Sequence, residues 1–126
     1  MNEFLVIICG SRSFTDYERL AKMCDYYLSR RIQEGQKVII ISGGADGADK
    51  LGERYATERG LDYRVFPADW DRYGKRAGMI RNAKMAEIAN ACIAFPSAYS
   101  ENRGTNNMIK VARRNNLLVR VVEDEG

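Results

Sequence analysis

Histidine is absent from the 126-residue chain. With it go the commonest general base and the commonest metal ligand, so acid–base chemistry falls to aspartate or glutamate and no metal site is expected. Cysteine is sparse: Cys9, Cys24 and Cys92 lie far apart, each inside an apolar run. That pattern fits reduced, buried thiols rather than disulfides or a zinc site. No apolar run approaches the roughly 20 residues that a membrane span needs, and the opening Met1-Asn2-Glu3-Phe4 lacks the basic and apolar regions of a signal peptide. A cytoplasmic protein with no membrane partner is the expectation. Charge of one sign is scarce too, since 20 Lys+Arg against 17 Asp+Glu leave a net +3. Nucleic-acid binders usually carry a concentrated basic stripe, so nucleic acid is not an expected partner; small anionic molecules remain compatible.

What is present is ordinary globular composition, 45% hydrophobic and 29% charged. A chain of this length fits one domain, able to bury roughly two-thirds of its unfolded surface without a disulfide or metal. Five apolar runs recur, Phe4 to Cys9, Lys37 to Ile41, Tyr63 to Phe66, Ala91 to Phe95 and Leu117 to Val122. Their unbroken hydrophobicity predicts strands covered on both faces. Between them stand helical stripes. Tyr17, Leu20, Ala21, Cys24, Leu28 and Ile32 follow the N-cap signal Thr15-Asp16 and precede the stop Gly35. A second stripe runs from Ala48 to Ala56 and ends at Gly60; a third helix is expected over about Ala77 to Ala89; a fourth carries Thr105, Met108, Ile109 and Ala112.

Strand and helix in alternation imply an α/β fold, a Rossmann-like three-layer sandwich with a five-stranded parallel sheet in the order 3-2-1-4-5. One Rossmann-like domain is expected over residues 1–122, followed by Glu123-Asp124-Glu125-Gly126 as an acidic, solvated tail. In such sheets ligands lie outside the carboxyl ends of the strands, where the strand order reverses. Four loops belong to that rim: Gly10-Ser11-Arg12, Ser42 to Asp49, Pro67 to Gly78, and Pro96 to Gly104.

The most informative loop is Ser42-Gly43-Gly44-Ala45-Asp46-Gly47-Ala48-Asp49, directly after an apolar strand. Its glycines admit a ligand close to the backbone, and the helix that follows directs unpaired N–H groups there. A tight strand-to-helix connection explains it equally well, because neither dinucleotide nor Walker spacing is present. Gly10-Ser11-Arg12 is either a surface turn with a solvated arginine or a source of phosphate donors. Asp46 and Asp49 complement the dipole of the second helix and compete with phosphate for its N–H groups, so a ribose, or another hydroxyl or amine group, is placed at that turn. Gly104-Thr105-Asn106-Asn107 opens its helix without an acid, beside Arg103, and receives the phosphate. Trp70, the single tryptophan, could stack on a base, cover the sheet edge or form a subunit contact. Arg81 and Asn82 bring a basic and an amide side chain to the switch point, whereas Met85, Ala86 and Ala89 are assigned to the core.

With these residues in view, the chain resembles the SLOG superfamily and, within it, the small YspA-type, YpsA-related proteins. The matching positions are Gly10-Ser11-Arg12 with Phe14, Ser42-Gly43-Gly44-Ala45 with Gly47-Ala48-Asp49, Phe66-Pro67-Ala68-Asp69-Trp70, Tyr73-Gly74-Lys75, Ala77-Gly78, Arg81-Asn82, Met85 and Gly104-Thr105. The resemblance implies a domain that binds nucleotides or ADP-ribose-like ligands, often oligomeric and sometimes tied to phage defence or its evasion. More distantly, Arg81, Met85, Pro96 and Gly104-Thr105 are similar to the LONELY GUY phosphoribohydrolase pattern. Asn106 and Asn107 stand where its acidic side chains would lie. An amide cannot take up a proton as a carboxylate does, which leaves Asp46, Asp49 and Asp69 as the catalytic candidates. The DNA-processing protein DprA has a related Rossmann domain.

Three readings follow. In the leading one, a nucleotide-type small molecule is sensed or sequestered, without a cofactor. The others are an N-glycosidase and a module for single-stranded nucleic acid. The expected ligand-binding set is Gly10, Ser11, Arg12, Ser42, Gly43, Gly44, Asp46, Gly47, Asp49, Asp69, Trp70, Lys75, Arg81, Asn82, Pro96, Arg103, Gly104 and Thr105. Homo-oligomerisation is expected, with Tyr26, Tyr27 and Tyr99 as exposed aromatics.

Overall fold

A computed structural model describes residues 2–98 and 102–123. Five parallel strands, β1 (Glu3–Gly10), β2 (Lys37–Ser42), β3 (Asp62–Val65), β4 (Ala91–Phe95) and β5 (Leu118–Val121), form one sheet in the order β3-β2-β1-β4-β5. Alternation along the central strands feeds two cores at once. Phe4, Val6 and Ile8 of β1 pack into one core with Leu20, Cys24 and Tyr55, while Leu5, Ile7 and Cys9 enter the other with Met85, Met108 and Ala112. Because side chains alternate between faces, a strand buried on both sides has to be apolar at every position, which is why β1 and β2 read as continuous runs.

The helices lie on the two faces. On one face, α1 (Tyr17–Gln33) and α2 (Ala48–Glu58) contact one another and β2. On the other, α4 (Ala77–Ile88) packs along α5 (Arg103–Arg114). The start of α1 follows the chemistry expected of Thr15-Asp16: the Asp16 carboxylate accepts from Arg19 N–H at 3.1 Å. Gly35 ends it with φ +83°. Met85 and Ala86 are buried, and Ala89 packs against the same core. All three cysteines are free and buried, and Cys9 Sγ sits 3.8 Å from Cys92 Sγ.

Two expectations need correction. The edge strand β3 is exposed along its whole length rather than covered on both faces, because α1 and α2 centre on the inner strands. Apolar composition alone does not separate an edge strand from an inner one. The segment after β3 is not plain loop either: it holds the single-turn helix α3 (Trp70–Tyr73) and a 3-10 turn over Gly74–Arg76. Asp69 caps α3, its carboxylate accepting from Arg72 N–H at 3.1 Å. Of the acidic tail, Glu123 lends its carbonyl to Arg19 Nη2 at 2.6 Å; Asp124, Glu125 and Gly126 lie outside the described residues.

The sheet position of an aliphatic side chain should set its energetic weight. Ile40→Ala, in a fully buried centre, is expected to cost about 2–5 kcal/mol. Leu118→Ala, half-exposed on the edge strand β5, should cost about 0.5 kcal/mol. Urea unfolding of both variants checks this, and equal losses would refute the layer assignment.

Candidate functional site

At the carboxyl edge, four segments converge on a cavity of about 300 Å³ lined by Arg12, Gly43, Gly44, Ala45, Asp46, Pro67, Ala68, Trp70 and Arg81. Main-chain geometry brings them together. The β2–α2 turn is pressed against the end of β1, and Ala48 N–H, at the start of α2, donates to Ser11 O at 3.2 Å. Gly47 makes this approach with φ +77°, and a Cβ there would run into the Ser11 carbonyl. Glycine is therefore required on both conformational and steric grounds. Phe66 N–H bonds Ser42 O at 2.8 Å, which fixes the start of the third segment beside the same turn.

The turn is braced from below. Ser42 Oγ donates to Glu53 Oε2 at 2.7 Å and accepts from Gly44 N–H at 3.1 Å. Asp49, buried at the first turn of α2, accepts from Ala45 N–H at 3.3 Å. The acid thus occupies an N–H group that phosphate would otherwise seek. Burial pushes its carboxyl up to about 6, although the Ala45 N–H and the Arg81 charge pull the other way.

Arg81 reaches from α4 across to this turn. Its Nη1 donates to Gly43 O at 2.5 Å and to Phe66 O at 3.4 Å, and its Nε donates to Asn82 Oδ1 at 2.9 Å. A Cβ on Gly43 would collide with the guanidinium, so the small residue makes room for the cation. Burial lowers the pKa of Arg81, Asp49 raises it, and the like charge of Arg12 lowers it again. Two guanidiniums that disfavour one another at one cavity are a ready receptor for an anion. Beneath lies Cys9, held well above the ordinary thiol range by its contact with Cys92 and by burial; it is no source of thiolate.

The expected site residues separate into groups. Arg12, Gly43, Gly44, Asp46, Trp70 and Arg81 line the cavity together. Gly10, Ser11, Ser42, Gly47 and Asp49 form the frame behind it. Asp69 is occupied as a cap and Lys75 stands exposed on the 3-10 turn. Pro96 lines a separate cavity of about 660 Å³ with Asn106, Lys110 and Arg113. Arg103 and Gly104 begin α5, Thr105 is buried, and none of the three lines the 300 Å³ cavity. Asn82 connects the two regions, donating to Asn107 Oδ1 at 2.9 Å and to Gly104 O at 3.4 Å. Arg81 therefore does not join the start of α5, where the phosphate was expected: its guanidinium turns to the Gly43 turn. Ala45, Glu53, Pro67 and Ala68 were missed as site residues; Glu53 lies one helical turn beyond Asp49, a spacing that marks it as sharing that face.

Residues 4–73 match the family described as YspA, cpYpsA-related SLOG. The chain belongs to that family. This SLOG protein is 32% identical over 115 residues to Gene 61 protein of Mycobacterium phage D29, covering 86% of the chain and 88% of the phage protein. Among solved structures, DNA processing protein A (DprA) from Streptococcus pneumoniae superposes with a TM-score of 0.69 at 17% identity, over 95% of this chain and 50% of DprA. The SLOG chain thus spans half the length of DprA. TM1055 superposes with a TM-score of 0.63 at 16% identity, over 94% of this chain and 72% of its own. Both likenesses establish the Rossmann-like fold. Among the described residues no helix is long and apolar enough to cross a membrane, and no cluster of acidic and thiol side chains could hold a metal.

The buried Asp49 has a stability signature. Its carboxyl is raised from the ordinary 3.8 to about 6, so the folded protein holds the proton more tightly than the unfolded chain does. Well below pH 4 both states are protonated and nothing differs; stability then falls as pH rises through about 4 to 6 and levels off above it, by about 3 kcal/mol. Asn at this position does not titrate. The stability of Asp49→Asn relative to the parent should therefore rise by about 2–3 kcal/mol between pH 4 and pH 7 in urea unfolding. A gap unchanged with pH would refute the assignment.

Proposed function

We propose that the protein binds a nucleotide or nucleotide-derived small molecule, of the ADP-ribose type, in the cavity between Arg12, the Gly43–Asp46 turn and Trp70. The observation that carries this reading is the make-up of the lining: two guanidiniums for phosphate, one exposed carboxylate at Asp46 for a ribose hydroxyl, and a half-exposed indole for a base. Family membership and the Rossmann-like fold support a nucleotide-related role. Phosphate goes to Arg12 and Arg81 in this reading, and the start of α5 is left to a further part of the ligand. The protein acts as a sensor or a sequestering protein in the cytoplasm.

An N-glycosidase is less well supported. Of the three carboxylates considered for catalysis, Asp69 caps a helix and Asp49 lies behind the turn, so Asp46 is the one on the cavity wall. Oxocarbenium chemistry by a pair of carboxylates has no second member there. A role with single-stranded nucleic acid is weaker still, given the balanced charge.

Calorimetry with AMP, ADP-ribose and cyclic dinucleotides tests the reading, with quenching of the single tryptophan as a second signal. At least one of these should bind. Arg81→Ala should then weaken it by about 10–100-fold, as expected for losing a charged hydrogen bond. Trp70→Ala should cost about 1–3 kcal/mol of stacking. No heat with any of the ligands, from folded protein, would overturn the proposal.

A further inference from the structure

The outer side of β3 is uncovered, and its side chains are distributed so that the strand complements a second copy of itself. Tyr63 and Val65 are 44% and 41% exposed. Phe66 N–H bonds inward to Ser42 O at 2.8 Å, and main-chain groups alternate sides along a strand. Those of Asp62 and Arg64 therefore face β2, and those of Tyr63 and Val65 face outward. An edge of this kind is a template for pairing with another strand.

We propose that two copies of the chain join through β3, antiparallel about a two-fold axis at Tyr63, into one ten-stranded sheet. The register is narrowly determined. An axis through a non-hydrogen-bonded position would set Asp62 against Asp62, or Arg64 against Arg64, like charge on like. An axis through a hydrogen-bonded pair needs a residue whose groups face outward, which leaves Leu61, Tyr63 and Val65. Leu61 N–H is already taken by Ala56 O at 2.8 Å. An axis at Val65 would set Tyr63 against Pro67 of the second copy, which has no N–H to give. An axis at Tyr63 lets the two tyrosines exchange both main-chain bonds. It also sets Asp62 opposite the partner's Arg64, and Arg64 opposite the partner's Asp62. These two pairs occupy the non-hydrogen-bonded positions, where side chains across antiparallel strands come closest. Opposite charges therefore meet twice. Asp62 already stands 3.4 Å from Lys37 Nζ, so each new guanidinium completes a small network.

Phe66 belongs to the core beneath α4 and α5, and Leu61 packs on the core beneath α1 and α2. By alternation the charged pairs lie on the first of these faces, and the two Tyr63 rings meet on the second. Because the strands run in opposite directions, the two carboxyl edges, and the cavities on them, point away from one another. The proposal is thus independent of the ligand reading, and breaking the dimer leaves the cavity intact. Among the aromatics first considered for self-association, Tyr26 is exposed, Tyr27 is half-buried against the core, and Tyr99 lies outside the described residues.

Sedimentation of the full chain tests the interface. The parent should sediment as a dimer of the 14.3 kDa chain. Asp62→Arg and Arg64→Asp, each setting like charges opposite one another, should raise the dissociation constant by about tenfold or more. The double exchange Asp62→Arg with Arg64→Asp restores both pairs in reverse and should restore the dimer. Both positions are exposed strand surface, and circular dichroism checks that folding is kept. Independently, Tyr63→Cys should cross-link to itself on mild oxidation, since the axis brings the two positions within disulfide reach. A monomeric parent at 1 mM concentration, single variants as dimeric as the parent, a double exchange as monomeric as the singles, or no Tyr63→Cys cross-link would each overturn the proposal.

Discussion

The carbonyl of Ser11 is the point on which the carboxyl rim depends. It accepts from Phe14 N–H and from Ala48 N–H, both at 3.2 Å, while Ser11 N–H donates to Phe95 O at 3.0 Å. One residue thus ties together the ends of β1 and β4 and the first turn of α2. The contact requires a glycine at position 47, since any side chain there would occupy the space of that carbonyl. Once made, it brings the Gly43–Asp46 turn beside Arg12, and the rest of the cavity follows from where β3 ends and α4 begins.

Electrostatics at the rim follow from this packing. Seating α2 so close to β1 buries Asp49, and burial disfavours its charge. The nearby Arg81, anchored by the Gly43 and Phe66 carbonyls, offsets part of that cost. The turn is therefore rigid and nearly satisfied before any ligand arrives. Among the described residues no buried side-chain nitrogen or oxygen lacks a partner. A preformed pocket loses little ordering entropy of its own on binding.

Much of this was legible in the chain, and the reasons for the rest are physical. The runs Phe4 to Cys9 and Ala91 to Phe95 lie in inner strands, where burial on both faces leaves a one-dimensional signature; strand order and helix positions followed from them. Position within the sheet leaves no such mark, so Tyr63 and Val65 read like core residues although they line the open edge. Asp69 caps α3, but one turn of helix is too short to show a period, so the segment reads as loop. The direction of Arg81 was also hidden. Its contact with Gly43 spans 38 residues and depends on the rotation of α4 about its axis, which a repeat of apolar residues fixes only coarsely. The start of α5 looked suited to phosphate because it lacks acids, yet Thr105 is turned inward and Asn82 already holds Gly104 and Asn107.

The central claim is that segments remote in sequence form one receptor for an anionic metabolite at the β1–β2–β3 side of the rim. Backbone amide shifts followed by nuclear magnetic resonance during titration with ADP-ribose test it most directly. Perturbations concentrated at Arg12, Gly43 to Asp46, Ala68 and Trp70, together with the Trp70 indole N–H, are the predicted result. Shifts centred instead on Asn106, Lys110 and Arg113, around the larger cavity, or no shifts at all, would contradict it.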